Sequence, residues 1–225
     1  MHKQITVDMN NLTTRADIVT YLQESLSEFS HLFTTSVDSN NYLWIYPLDC
    51  NYCVQIRHNI KGSTTYFYYY TYGTTNYHQA DSCNINSSYT IDIFTNEDNN
   101  TFAIFFYSNY YHRFCVTKGT NGIKYLLYGY TNGDNCIKDD TGYYGASTVF
   151  YCQGYGNIDK CFLFNLMRKS NYKLYDPPMI DTFNAALPVR LNVRNTCTID
   201  GEKYVVFDNG TSNNYCEAIL FKYTE

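Results

Sequence analysis

The spacing of apolar residues changes along the chain, and this change constrains the fold more than any other feature. From about residue 42 onward, apolar residues recur at every second position, as in YCVQIRH (52–58) and SYTIDIF (88–94). Side chains on a β-strand point alternately to opposite faces, so this period is typical of half-buried strands. Turn segments rich in Asn, Gly and Asp separate such runs at intervals of about 8 to 13 residues. We therefore expect a mainly β fold, an antiparallel β-sandwich or barrel.

Two segments predict helices. Thr14-Arg-Ala-Asp17 has capping-box spacing, with Asp in place of the usual Glu or Gln, and apolar residues follow at helical spacing. This predicts an N-terminal amphipathic helix over about residues 14 to 30. In the C-terminal half, Asp176 is placed as an N-cap, Pro177 as the first helical residue and Pro188 as the stop. This predicts a short helix near 177–187.

These elements divide the chain into two parts. Residues 1–35 form an N-terminal arm and helix, and residues 36–225 form a β-rich body, without a linker that separates domains clearly. We expect one compact domain overall. Near the C-terminus, Asp200-Gly201 predicts a tight hairpin turn, and YCEAILFKY (215–223) predicts the last strand.

Charge and hydropathy exclude several classes of partner. The net charge is −5 and charged residues make up only 16% of the chain, without a basic run to neutralise phosphates. No stretch approaches the roughly 18 consecutive apolar residues of a membrane span, and the start MHKQITVDMN lacks the apolar stretch of a signal peptide. We expect a protein that binds neither nucleic acid nor membrane.

The cysteines indicate a reducing compartment. Nine of them lie at irregular spacing, which fits buried free thiols better than a disulfide framework. Cys50-Asn-Tyr-Cys53 has the spacing of a redox motif or of half a zinc site. A zinc site needs a second close pair of ligands, and a redox motif should open a helix after a strand, whereas this segment reads as a turn between strands. We expect structural thiols and neither metal nor cofactor.

Other combinations that support catalysis are weak. His112 and Cys115 have opposite parity on a strand, and His78 and Cys83 lie in an expected loop, so neither pair predicts an activated thiolate. The segment 132–140 is dense in oxygen ligands but lacks the calcium-loop pattern. Carboxylates available for glycoside hydrolysis fall mostly in turns; they are Asp49, Asp92, Glu97, Asp98, Asp134, Asp139 and Asp140. We expect a protein that is not an enzyme and has no catalytic residue.

The remaining candidate is a tyrosine-rich surface. In TTYFYYYTYG (64–73), Phe67 and Tyr69 are expected to face the core and the alternate tyrosines to form an outer ladder with rings about 6.8 Å apart. Tyrosine suits a rigid, partly polar contact surface, although strands also favour aromatic residues for packing alone. The predicted interaction surface consists of Tyr66, Tyr68, Tyr70, Tyr72, Tyr110 and Tyr111. We expect a neighbouring element or subunit to cover the ladder.

The overall pattern resembles small β-rich structural proteins of tailed-bacteriophage virions, such as tail, baseplate, neck and fibre-attachment parts. The segments that carry this resemblance of style are MHKQITVDMNNLTTRADIVTYLQ, YFYYYTYG, FAIFFYSNYYHRF and TIDGEKYVVFDNG followed by YCEAILFKY. The resemblance implies assembly in the host cytoplasm, a place in the virion and no catalysis. It assigns no role to any single residue.

Three functions follow as hypotheses. The first is a non-enzymatic virion structural protein that acts through protein–protein contacts with other virion proteins or with copies of itself. The second is a carbohydrate-recognising or host-receptor-binding module on a phage tail, which uses tyrosines to stack on a host surface glycan. The third is a cell-wall or glycan hydrolase, which requires a facing pair of carboxylates.

Overall fold

The computed structural model describes residues 1–71, 77–85, 88–107, 111–130, 136–139, 142–145, 162–165, 168–170, 173–175, 179–187, 191–209 and 217–225. Over these residues the fold is mainly β, with antiparallel sheets and a single α-helix, which confirms the expected class at this level. No helix in this part of the chain is long and apolar enough to cross a membrane.

In chain order the elements are β1 (His2–Val7), α1 (Arg15–Leu26), a 3-10 turn (Ser27–Phe29), β2 (Phe33–Val37), β3 (Leu43–Pro47), β4 (Tyr52–Arg57), β5 (Ser63–Thr71), β6 (Tyr77–Ile85), β7 (Tyr89–Asn96), β8 (Thr101–Tyr107), β9 (Tyr111–Lys118), β10 (Lys124–Tyr130), β11 (Cys136–Asp139), β12 (Gly142–Gly145), β13 (Phe162–Asn165), β14 (Arg168–Ser170), β15 (Lys173–Tyr175), β16 (Thr182–Ala186), β17 (Thr196–Ile199), β18 (Glu202–Asn209) and β19 (Glu217–Tyr223).

The strands form four sheets. A seven-stranded sheet has the order β1-β7-β8-β9-β10-β11-β12, and a five-stranded sheet has the sequential order β2-β3-β4-β5-β6. A second five-stranded sheet has the order β13-β16-β19-β18-β17, and β14 and β15 form a two-stranded sheet among the described residues. In the sequential sheet each strand pairs with the next along the chain.

Helix α1 begins as its sequence predicts. The Thr14 hydroxyl accepts from the backbone N–H of Asp17, and the Asp17 carboxylate accepts from the N–H of Thr14, which completes the capping box. The apolar positions Ile18, Leu22 and Leu26 are buried on one side of the helix. The capping box satisfies two of the backbone donors that a helix start leaves open, and burial of the apolar side fixes the helix against the sheets.

The hairpin between β17 and β18 also matches its prediction. Ile199 pairs with Glu202, which leaves Asp200 and Gly201 as a two-residue loop. Both have positive φ, 52° and 83°, as a type I′ turn requires. Asp tolerates this conformation and Gly adopts it without a steric penalty, so the Asp-Gly pair explains the position of the turn.

The helix expected near 177–187 is wrong. Within this range the described residues contain strand β16, which pairs with β13 on one side and with β19 on the other. In the sequence, the adjacent residues Ala185 and Ala186 favour a helix, and Pro188 is typical of a residue that follows a helix end. Two neighbouring strands satisfy the backbone donors and acceptors of β16, and this pairing outweighs the weak local preference.

The chain divides into two compact units. Unit A comprises Lys3–Ile93 and Ile104–His112, and unit B comprises Met1–His2, Phe94–Ala103 and Arg113–Glu225. In unit A, the inward side of the sequential five-stranded sheet packs into an aromatic core. The Phe67 ring stacks on His112 at 3.6 Å between centroids and meets Phe106 edge-on at 5.1 Å.

Side chains of helix α1 also hydrogen-bond one backbone carbonyl on each of two edge strands. The Tyr21 hydroxyl donates to the carbonyl oxygen of Thr6 on β1 at 2.9 Å, and the Gln23 amide donates to that of Thr35 on β2 at 3.5 Å. Strands β1 and β2 are each the outermost strand of their sheet. Side chains of one helix thus occupy backbone acceptors that edge strands otherwise leave open to other chains.

The core of unit B is apolar with two buried polar clusters. Arg113 forms a buried ion pair with Asp208, and the buried carboxylate of Asp181 accepts from the hydroxyls of Thr101 and Thr117. Part of this core is an apolar cluster at the second five-stranded sheet, which consists of Ala185, Leu187, Tyr204, Val206, Ala218 and Leu220.

Candidate functional site

The outward side of the sequential five-stranded sheet of unit A carries a row of aromatic side chains. We call its five aromatic side chains the aromatic face, and they are Trp44 and Tyr46 on β3 and Tyr66, Tyr68 and Tyr70 on β5. Trp44 pairs with Gln55, and Gln55 pairs with Tyr68, so directly opposed residues of β3, β4 and β5 share this side.

The parity predicted for β5 is confirmed for its described residues. Phe67 and Tyr69 retain only 1% and 0% of their surface exposed, and they contact the aromatic core. Tyr66 and Tyr70 are half-buried on the outer side. The ring centroids of Tyr66, Tyr68 and Tyr70 follow one another at 6.3 and 6.4 Å, close to the strand repeat of about 6.8 Å.

The rest of the predicted interaction surface is only partly visible. Tyr72 and Tyr110 lie outside the described residues, and Tyr111 begins β9 without a described side chain. Tyr68 retains only 7% exposure, because the Arg57 guanidinium lies over its ring at 3.8 Å from the centroid. Part of the ladder is therefore covered by the chain itself through a cation–π contact.

The expectation of half-buried strands is wrong for both segments that carried it. On β4, Cys53 and Gln55 are buried along with Val54 and Ile56, since aromatic rings cover the outer side of this strand. On β7, Asp92 retains only 2% exposure and accepts a hydrogen bond from the Gln4 amide at 2.9 Å. Alternation therefore predicted the orientation of these side chains correctly but not their exposure.

Trp44 extends the aromatic face beyond the tyrosine ladder. Its ring lies 4.9 Å from that of Tyr70, and its plane is within 11° of the Tyr46 ring at 5.9 Å. Trp44 is the single tryptophan of the chain. The segment Leu43-Trp-Ile-Tyr-Pro47 contains the signal that identifies it, because the aromatic residues alternate with buried apolar ones.

A hydrogen-bond network holds these rings in place. The Trp44 indole N–H donates to Asp38 at 3.0 Å, and the Gln55 amide donates to the same carboxylate oxygen at 3.4 Å. The Gln55 carbonyl oxygen accepts from Arg57 at 2.7 Å and from the Tyr70 hydroxyl at 3.2 Å. The network thus runs from Trp44 to Tyr70 through the half-buried carboxylate of Asp38 and the buried amide of Gln55, which fixes the rotamers of Trp44 and Tyr70.

The charges of this network balance. Burial alone would raise the pKa of Asp38, but hydrogen bonds from Trp44, Tyr42, Asn40 and Gln55 outweigh it and lower that pKa. Asp38 is therefore ionised at neutral pH and opposes the positive charge of Arg57. Within the described residues, Asp38 and Arg57 therefore contribute one negative and one positive charge beside the aromatic rings.

The catalytic combinations considered from the sequence are not assembled in the described residues. His112 contacts Phe67 and hydrogen-bonds the Tyr69 hydroxyl at 2.6 Å. Burial raises the pKa of the Cys115 thiol well above its usual value, and nearby Asp181 adds to this effect, so the thiol is protonated. Cys50 and Cys53 form no disulfide. The side chains of His78, Cys83, Asp134, Asp139 and Asp140 are not among those described.

Metal binding finds no support in the described part of the chain, where no group of three or more His, Cys, Asp or Glu side chains is placed to hold an ion.

Asp181 is a buried carboxylate that the sequence pattern did not indicate. Burial raises its pKa, although hydrogen bonds from Thr101, Thr117 and the Lys118 N–H act to lower it. Its oxygens are occupied by these donors, so it stabilises unit B.

Comparison with protein-family models, curated sequences and solved structures gives no match to this chain. Its function is therefore inferred from the geometry of the aromatic face.

Proposed function

We propose that the chain is a non-enzymatic structural protein of a tailed-bacteriophage virion, which acts by binding and is assembled in the host cytoplasm. The observation that carries the proposal is the aromatic face. Its Trp44 and Tyr70 rings are fixed by hydrogen bonds to Asp38, Gln55 and Arg57, and Arg57 stacks on Tyr68, before any partner arrives. A preorganised surface rich in Trp, Tyr and Arg is typical of binding sites, because little conformational entropy is lost when a partner docks.

The proposed partners are other virion proteins, copies of this chain or a host surface glycan. Contacts with virion proteins give a role in particle assembly, and contact with a glycan gives a role in host recognition. Both roles place the chain in the particle. The uncharged character of the aromatic face fits both, since neither requires a strong electrostatic field.

The proposal includes a β-sandwich arrangement in unit A. It is supported by Phe67 of β5, which packs on Phe106 of β8 and on His112 of β9. Contacts of this kind join the inward faces of two stacked sheets. A crystal structure in which these two sheets do not face each other would contradict this arrangement.

Quantitative mass spectrometry of purified phage particles tests the proposal. Particles from the phage that encodes the chain should contain it at a fixed ratio to the major capsid protein through successive density gradients. A matched control is a non-structural protein of the same phage, which should be depleted at each step. If the chain is depleted in parallel with this control, it is not a virion component.

A further inference from the structure

We propose that the partner of the aromatic face is a neutral glycan, bound by stacking of pyranose rings on Trp44, Tyr46 and Tyr70. The inference rests on the proposed function, in that it takes the aromatic face as the binding surface, and it specifies the ligand. Three properties of the face support it: its area, its charge and the arrangement of its rings.

The four rings alone expose less area than one partner of a stable protein interface buries. Trp44, Tyr46, Tyr66 and Tyr70 are half-buried, so each exposes at most about a third of its surface. An aromatic side chain offers up to about 250 Å², so the four rings together expose no more than roughly 330 Å². A stable protein interface buries about 800 Å² on each partner. An area of this size matches one or a few sugar rings.

The charge of the face selects against ionic ligands. Asp38 and Arg57 offset each other, and Arg57 already donates to Gln55 at 2.7 Å and to the Tyr70 hydroxyl at 3.2 Å. An anionic ligand would have to compete with these contacts and with the stacking of the guanidinium on Tyr68. A neutral ligand leaves the network intact.

The ring arrangement suits sugar stacking. Trp44 and Tyr46 lie nearly parallel, with an angle of 11° between their planes and 5.9 Å between their centroids, and Tyr70 is tilted by 49° to Trp44 at 4.9 Å. One side of a pyranose ring presents C–H groups with partial positive charge, which pack on the electron-rich face of an aromatic ring. One nearly parallel ring and one tilted ring thus lie next to Trp44, so a single oligosaccharide can contact all three rings.

A glycan array with the full-length protein tests this inference. The array carries neutral oligosaccharides of glucose, galactose, rhamnose and N-acetylglucosamine, together with sialylated and sulfated glycans. We expect binding to neutral glycans. Titration calorimetry with the best neutral oligosaccharide should then show a loss of affinity of about tenfold or more in Tyr46→Ala and in Trp44→Ala.

Two controls accompany these variants. Tyr107→Ala removes an exposed tyrosine of β8 outside the aromatic face and should keep the wild-type affinity. Trp44→Phe keeps a stacking ring and should retain most of the binding. Circular dichroism of each variant shows whether the fold is preserved, and Tyr46→Ala decides the matter if Trp44→Ala does not fold.

Three results would overturn the glycan assignment: no binding to any neutral glycan, binding to sialylated or sulfated glycans alone, or an affinity that Tyr46→Ala leaves unchanged. A dimer seen by light scattering that Tyr46→Ala dissociates would identify a second copy of the chain as the partner instead. None of these results depends on whether the chain is found in particles, so the two proposals can fail separately.

Discussion

Acidification should destabilise the protein through His58, a buried histidine of unit A. Its Nδ1–H donates to the carbonyl oxygen of Asn59 at 2.7 Å, and its Nε2 lies 2.7 Å from the Tyr89 hydroxyl, from which it accepts. The pKa of His58 is lowered from 6.5 to about 4, mainly by burial and in smaller part by the charge of Arg15, while the hydrogen bond to the Asn59 carbonyl acts in the opposite direction. The ring is therefore neutral in the folded protein at physiological pH.

The size of the effect follows from this difference in pKa. Between pH 6.5 and about 4 the unfolded chain binds a proton at His58 that the folded protein does not bind. The free energy of unfolding therefore falls as the pH falls through this window, by about 3 kcal/mol, and the contribution of His58 is constant above and below it. This is a large share of the roughly 5 to 15 kcal/mol that stabilises a typical domain.

The assay is urea unfolding at several pH values between 7.5 and 4, on the wild type and on His58→Gln. The variant loses the titrating group, so its stability should fall less on acidification, and the difference between the two proteins should change by about 3 kcal/mol over this range. The ¹H NMR titration of the His58 ring, assigned by comparison with the variant, should give a pKa near 4. Parallel pH profiles for the two proteins, or a ring that titrates near 6.5, would refute the reasoning.

Three further substitutions test local features by urea unfolding. Thr14→Ala removes the side-chain half of the capping box and should lower the free energy of unfolding by about 1 kcal/mol, whereas Thr14→Ser should lower it little. Equal effects of the two substitutions would exclude a capping role. Gly201→Ala places a Cβ at φ 83° and should cost about 1 kcal/mol, while Gly201→Asn costs less; a neutral Ala variant would contradict the turn assignment. Tyr69→Phe removes the buried hydrogen bond to His112 and should cost about 1 to 3 kcal/mol, against nearly nothing for Tyr66→Phe; similar losses would mean that the parity of β5 is wrong.

Elements that depend on neighbours in sequence could be predicted from the chain alone. The capping box at Thr14 and Asp17 acts across three residues, and the Asp200-Gly201 turn depends on the φ angles of its own two residues. The orientation of Phe67 and Tyr69 follows from strand alternation once the strand is recognised. Each of these signals is local, and the structure agrees with each.

Features that depend on distant contacts could not be predicted in this way. The expected helix near 177–187 failed because β19, more than thirty residues later, pairs with β16. Asp181 is held by Thr101, which lies 80 residues away in sequence, and no local pattern indicates this contact. The network of the aromatic face depends on Asp38, which lies in the turn before β3 and resembles any solvated turn aspartate in the sequence.

Trp44 fluorescence reports whether a ligand occupies the aromatic face, since this single tryptophan of the chain lies on that face. Acrylamide quenching should be measured on the wild-type protein without ligand and with a saturating concentration of the neutral oligosaccharide selected on the array. If the glycan stacks on the aromatic face, the quenching constant falls on binding, and Tyr46→Ala requires correspondingly more oligosaccharide for the same protection. A bound glycan that leaves the quenching of Trp44 unchanged would place the ligand elsewhere and contradict the assignment.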